Sequence, residues 1–380
     1  MRNSVTSDLY EKLSKDVRAI VDSDKYQALF PWAKLHPTQQ NVKRWSLVSS
    51  KQGAYFGGGV GTKIIGFGAN LAITDDLYGS IQDAMSIKYQ EEVDSWKQGT
   101  HNSRMEKNCP EIFIGTRWSK RDEIGKAIEA KKIDKEITLP ALLEVPNPDG
   151  TVGYRSICEA AKSTAEFLAI KENTDETIWE AEYMQNPIET KGLLFPGSSL
   201  HYFKPEEIEP YKPDFKFLAV DPADTGGDNL SAPICELYGN EIYVTGVIFS
   251  KEGTDVTVPE LVELICAKRF HMVHIEGNGG WGQISKTVQE KVWNRPSGQD
   301  VEIVATKAYT NKQIRILSNS AFIKNHMLFL SPEYWTPQYK SFMKTLTAYL
   351  REGGSNQVDD APDSLVMASE YYQDNFRELW

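Results

Sequence analysis

The chain has 380 residues, 40% of them hydrophobic and 25% charged, with a formal net charge of −11. This length supports two domains or one large one, each with a real core, and the composition is ordinary for a globular protein. The acidic balance excludes a global basic footprint for nucleic acid but not a local one. No apolar run approaches the roughly 18 residues of a membrane span, and the opening MRNSVTSDLYEKLSKDV lacks the apolar segment of a secretory signal.

From about Asp8 to Ile137 strands alternate with helices, which predicts a mostly parallel sheet. LYEKLSKDVRAIVDS has the spacing of an amphipathic helix. GTKIIGFGANLAITDD predicts a glycine-rich turn and then a buried strand. EIFIGTRW is a short strand, and KRDEIGKAIEAKKIDK returns to helix. From Leu139 to about Gly197 the texture is turn-rich, with Pro140, Pro146, Pro148 and Asp149-Gly150, and a helical stretch lies around 174–185. From Phe215 a second α/β pattern starts. FKFLAVD is a strand, and LSAPICELYGNEIYVTGVIF is a hairpin turning at Gly239-Asn240. VTVPELVELICAKRF (helix), MVHIEGN (strand), WGQISKTVQEKVW (helix), VEIVATKA (strand) and NKQIRILSNSAFIKN (helix) follow, with a last helix beginning near Pro362. The expected organisation is residues 1–138, a connecting region 139–200, and 201–380.

Cys109, Cys158, Cys235 and Cys266 are scattered without a CxxC pair, which predicts reduced, mostly buried thiols and no zinc site. The chemistry resides in acids at strand ends. Asp221 closes FLAV, Glu276 closes MVHI ahead of a glycine-rich loop, and Asp359, Asp360 and Asp363 open the last helix. Strand ends in α/β folds face a common crevice. Three converging carboxylates repel one another, and a divalent cation removes that penalty, Mg²⁺ being a hard ion that takes oxygen ligands. Asp also serves as turn residue and helix cap. Asp224, Asp359 and Asp360 are read in that way or as support, and Asp228 reads equally either way. Asp221, Glu276 and Asp363 are the metal-ligand candidates.

The order strand-Asp, strand-Glu, helix-Asp resembles nucleases of the ribonuclease-H-like superfamily. VDPADTGGDN, HIEGNGGWG and DDAPDSLVMA resemble, more narrowly, the nuclease domain of the large terminase subunit of tailed bacteriophages. The resemblance implies an endonuclease cutting concatemeric viral DNA during genome packaging, using two Mg²⁺ or Mn²⁺ ions. Its catalytic triad falls on Asp221, Glu276 and Asp363, and Asp228 matches a further acidic position.

GANLAITDD has the form of a Walker B strand. Asp75 would hold Mg²⁺ and Asp76 would polarise the attacking water. GGGVGTKIIGFGANLAITDD and IFIGTRW resemble the ATPase domain of the same family, which makes Thr116 a nucleotide sensor. Arg117 belongs to the same coupling motif or pairs with a neighbouring acid. Arg104 is a weaker candidate for an arginine finger. Thr74 replaces the apolar residue usual before the acids. No GxxxxGK[ST] occurs, and Gly125-Lys126 sits in a helical pattern. Such a chain resembles a large terminase without its N-terminal part, and ATP chemistry is expected only when that part is supplied.

The fold class expected is therefore α/β, an incomplete P-loop ATPase-like parallel-sheet domain followed by a ribonuclease-H-like domain. The family implies double-stranded DNA, a small terminase subunit and a portal or procapsid as partners, no membrane, and the cytoplasm of a bacterial host. The alternatives are a decayed prophage remnant, an assembly-only partner of a separate ATPase chain, and a resolvase-like nuclease. His271 and His274 fall on opposite strand faces, so packing is expected of them. Trp281 is read as a packed aromatic. Lys286, Lys291, Lys307, Lys312 and Arg315 line a DNA groove or form solvated helix faces, with equal weight.

Overall fold

The computed structural model describes residues 1–50, 53–147, 151–188, 191–222, 228–277, 282–306, 311–351 and 357–376. The expectations for Asp224, Trp281, Lys307 and the turn at 148–150 lie outside the described residues. The chain divides into two compact units, Met1–Ala161 with Thr177–Ile188, and Lys162–Glu176 with Glu189–Trp380. The stretch 139–200 is thus shared between the two units.

Among the described residues the first unit is built on a six-stranded sheet. Its strands are β1 (Arg2–Ser4), β2 (Leu35–Asn41), β3 (Arg44–Leu47), β4 (Tyr55–Gly59), β5 (Ala72–Asp75) and β6 (Glu111–Ile114). Their order is β2-β3-β4-β1-β5-β6. The pairs β4–β1, β1–β5 and β5–β6 are parallel, as the strand-helix alternation predicts. The pairs β2–β3 and β3–β4 are antiparallel. This wing was not anticipated, because LHPTQQN is largely exposed and shows no period-2 alternation. The helix Ser7–Asp22 starts where the Thr6 side chain accepts the Leu9 N–H, and it buries Tyr10, Ser14 and Val21. A hairpin of β7 (Leu142–Pro146) and β8 (Val152–Ser156) follows. The helical stretch expected around 174–185 is a short helix, Glu176–Ile178, running into a wider π turn, Trp179–Tyr183.

The second unit carries a seven-stranded mixed sheet. Its strands are β9 (His201–Phe203), β10 (Phe215–Val220), β11 (Leu230–Tyr238), β12 (Glu241–Ser250), β13 (Met272–Glu276), β14 (Glu302–Thr306) and β15 (Met327–Leu330). Their order is β14-β13-β10-β11-β12-β15-β9. The β11–β12 hairpin turns at Gly239, whose φ of +58° is the left-handed conformation glycine adopts without cost.

The pleat sorts the side chains of β10 and β13. These strands pair in parallel with Leu218 beside Val273 and Val220 beside Ile275. All four are buried in one cluster with Val258, Leu261, Val262 and Ile265 of the helix Thr254–Lys268. The alternate positions face the other way, where Phe217 and His274 both meet the ring of Tyr371 on the helix Asp360–Phe376. Further along that second face, β10 leads to Asp221 and β13 to Glu276. The alternation that builds the core therefore delivers two acids side by side under the start of the last helix.

Candidate metal centre

Asp221 follows β10 and exchanges two backbone hydrogen bonds with Ser231, each 2.9 Å, which fix its position at the sheet's end. Glu276 is the last residue of β13. Asp363 lies in the first turn of the helix Asp360–Phe376, and its N–H donates to the Asp359 carbonyl. Asp221 and Glu276 are each 6% exposed and Asp363 is fully buried. One carboxylate oxygen from each lies within 4.8 Å of the others. Burial, then repulsion from Asp363, raises the Glu276 pKa. The Asp221 pKa is raised by burial first, with Asp363 and Glu276 adding to it and Lys312 opposing. Like charges held this close in a low-dielectric pocket are costly without a cation. The donors are hard oxygens, which fits Mg²⁺ or Mn²⁺ and not a soft metal.

Two cations that sequence reasoning left undecided converge on these acids. The helix Lys312–His326, capped by the Asn311 side chain accepting from Ile314, aims its first turn at the pocket. The Lys312 ammonium stands 3.0 Å from Asp363, 3.4 Å from Asp221 and 3.5 Å from Asp359. Burial disfavours its charge, yet the carboxylates of Asp221, Asp363 and Asp359 together raise its pKa above the ordinary lysine value. Arg315, one turn on, places a guanidinium nitrogen 3.5 Å from Asp363. Its Nε and second terminal nitrogen donate to both oxygens of Glu370 at 3.3 and 2.9 Å. Of the four candidate groove cations among the described residues, these two face the acids. The 3.6-residue period exposed the helix but not which neighbour its first turn would meet.

The remaining acids separate by position. Asp360 accepts from the Asn229 N–H and from its Nδ2, at 2.9 and 2.7 Å, and so ties the segment after Asp228 to the last helix. Asp228 is exposed and lies outside the trio. The histidines pack: His271 accepts from the Lys216 N–H, and His274 hydrogen-bonds Thr306.

In the first unit Asp75 ends β5 and pairs with Arg2. Asp76 follows with φ +48°, a conformation sparsely used by residues other than glycine. Its Oδ1 accepts the Thr116 N–H at 3.2 Å, which ties the strand end to the segment after β6. Burial raises the Asp76 pKa, the Thr116 hydrogen bond lowers it, and Asp75 adds repulsion. Arg117 donates from Nε to Asp122 at 3.2 Å, so it pairs with a neighbouring acid. Arg104 hydrogen-bonds Ser103, and Gly125-Lys126 lies within the helix Glu123–Glu129.

Residues 220–328 match the family described as the terminase of bacteriophage T7, ribonuclease H-like domain. Asp221 and Glu276 fall inside that span and Asp363 beyond it. No curated protein matches the sequence. The whole chain is similar in fold to the large terminase of a thermophilic bacteriophage, solved in several crystal forms. One form superposes with a TM-score of 0.52 at 9% identity, over 98% of this chain and 85% of that one. A second gives 0.50 at 9% identity, over 98% and 85%. A complex of that protein with ATP-gamma-S gives 0.50 at 9%, over 98% and 84%. A ribonuclease-H-like unit, preceded by a unit built on a mixed, partly parallel sheet, is thus the class that fold and family define. Residues 220–328 of the second unit thus match a terminase ribonuclease H-like family, and the chain as a whole shares its fold with a large terminase.

Proposed function

We propose that Asp221, Glu276 and Asp363 together hold two divalent ions, Mg²⁺ or Mn²⁺, and cleave concatemeric viral DNA during genome packaging. The approach of the three carboxylates within 4.8 Å, at the matched ends of β10 and β13, carries this reading. When bound, such ions polarise a phosphodiester and lower the pKa of water, so hydrolysis proceeds at neutral pH. The sheet holds two of the acids in register, and the helix Asp360–Phe376 closes the third over them. Their burial keeps the carboxylates poorly hydrated, which strengthens their hold on a cation. Lys312 balances the acids, and Asp359 is a carboxylate at the rim that shares its ammonium. Asp228, exposed beside the anchored Asn229, is a ligand only if its segment moves inward.

The same proposal covers the first unit. Residues 1–138 form a partial ATPase domain in which Asp75 binds the nucleotide's Mg²⁺ and Asp76 orients water. Thr116 reports nucleotide state through its hydrogen bond to Asp76. Residues 139–200 connect this domain to a nuclease domain, 201–380. ATP hydrolysis requires a phosphate-binding loop that this sequence does not contain. Double-stranded DNA, a small terminase subunit and a portal are the partners, met in the cytoplasm of a bacterial host. Cleavage shows little base preference, since metal-bound carboxylates address phosphates and not base edges.

Plasmid cleavage by the purified chain in Mg²⁺ or Mn²⁺ tests this reading. Asp221→Asn abolishes cleavage while the circular dichroism spectrum stays that of the parent. A variant that cuts as fast as the parent removes Asp221 from the mechanism.

A further inference from the structure

A groove of about 700 Å³ lies two strands from Asp221 within the second unit, since Phe249 in its wall pairs with Ser231 and Ser231 with Asp221. Its walls come from the end of β12 with Lys251, the helix Pro337–Thr347 with Ser341, Lys344 and Thr345, and Tyr349 and Val358 beyond that helix. Lys251 and Lys344 are exposed. None of the described residues lining the groove is an Asp or Glu, in a chain whose formal net charge is −11. Lys251 and Lys344 are thus the charged side chains among the described residues of its wall.

Two residues of the wall adjoin the segments that carry the trio. Asn229, in its wall, donates both hydrogen bonds to Asp360 at the head of the helix that carries Asp363. Val358 precedes Asp359, whose carboxylate shares Lys312 with Asp221 and Asp363. The wall is held in shape by Gln357, which accepts from the Leu350 N–H at 3.0 Å and donates to the Leu350 carbonyl at 3.1 Å. The hydroxyls of Ser341 and Thr345 and the ammonium of Lys344 share one helix face, Lys344 and Thr345 standing three and four residues after Ser341. The donors of Lys251, Ser341, Lys344 and Thr345, set beside apolar Phe249 and Leu350, fit a strand that offers both phosphates and base faces.

We propose that this groove seats the DNA strand flanking the scissile phosphate, with Lys251 and Lys344 neutralising its phosphates as it leaves the trio. The proposal rests on the nuclease reading above and adds the path of the substrate. Each phosphate contact made by a lysine releases counterions, so log affinity falls with log salt by about 0.9 per contact on a duplex.

The test measures binding of a fluorescein-labelled DNA duplex to the full chain by anisotropy, in EDTA, across a salt series. Plasmid cleavage in Mg²⁺ is run alongside. The variants are Lys251→Glu with Lys344→Glu, and the milder Lys251→Gln with Lys344→Gln. Lys268→Glu is the control, an exposed lysine beside the opposite end of β13. Loss of both groove lysines is expected to lower the salt slope by about 2. It also weakens binding by about tenfold or more and slows cleavage, while Lys268→Glu matches the parent. Melting temperatures equal to the parent's show that the variants are folded, and the glutamine pair still reads the slope if the glutamate pair is not. Unchanged affinity and slope in both groove pairs, with the parent cutting DNA, overturn the groove and leave the nuclease standing. A parent that cuts nothing in Mg²⁺ or Mn²⁺ overturns the nuclease reading, whereas the slope still reports on the groove.

Discussion

The Lys312 ammonium lies 3.0 Å from the carboxylate of Asp363, a residue with no solvent exposure. The lysine opens one helix and the aspartate stands in the first turn of another, and their meeting supplies a protein cation where a divalent ion would also be attracted. With Lys312→Met the acids lose that counter-charge. The melting temperature of the metal-free chain is expected to fall by roughly 2–4 °C, a small value because the ammonium is partly exposed. Addition of Mg²⁺ then raises it more than in the parent. Thermal scans with EDTA and with Mg²⁺ measure both. An equal metal-induced shift in the two proteins removes Lys312 from the electrostatics of the site.

Arg315 bridges Asp363 and Glu370, two acids of the last helix. Its planar fork, which lysine lacks, sets the position of that helix's first turns. Arg315→Lys keeps the charge and loses the two-point contact. Plasmid cleavage is expected to drop about tenfold in kcat with little change in KM, since small displacements of a reacting group are costly. A rise in KM at constant kcat points instead to a role in holding DNA.

These two cations mark what the sequence displayed and what it did not. Asp221 and Glu276 were legible because apolar strands end in them, and the period-2 alternation that buries Leu218, Val220, Val273 and Ile275 places both acids on the opposite face. Asp363 was legible through the motif DDAPDSLVMA. Lys312 and Arg315 stood in a helix whose polar residues suited solvent as well as a pocket, and a helical period carries no information about the element it meets. The hairpin-like wing of β2 and β3 was missed for a related reason: β2 is largely exposed, so no burial pattern is written into it.

A pairing between distant parts of the second unit was equally illegible. Asp175, 1% exposed, is held by Arg351 at 2.8 and 3.0 Å and by the Ser320 hydroxyl at 3.1 Å, with the Lys324 ammonium 3.8 Å away. Arg351→Ala strips a buried carboxylate of its main partner, a change that costs about 3 kcal/mol. Urea unfolding followed by tryptophan fluorescence should show the second unit weakened by about that amount. Asp175→Asn, which removes the buried charge, should be milder. Equal stability of Arg351→Ala and the parent contradicts the assignment.

Glu123, 6% exposed at the start of a first-unit helix, has its pKa raised to about 7, chiefly by burial, with repulsion from Asp122 and Asp76 adding to it. A raised carboxyl pKa means the folded state holds the proton more tightly than the unfolded one. Its contribution to stability is therefore lost as pH rises from the ordinary Glu range through about 7. The loss is on the order of 3 kcal/mol once complete. Glu123→Gln is expected to flatten the melting temperature of the first unit between about pH 5 and pH 8, and to be the more stable protein at the upper end. A parallel pH profile for parent and variant contradicts the burial argument.

The central claim is that Asp221, Glu276 and Asp363 share divalent ions. Anomalous diffraction from crystals soaked in Mn²⁺ tests it most directly. Two anomalous peaks about 4 Å apart, bounded by the three carboxylates, are the result expected. Manganese bound elsewhere, or none at the trio while Lys312 keeps its contacts with Asp221 and Asp363, would contradict it.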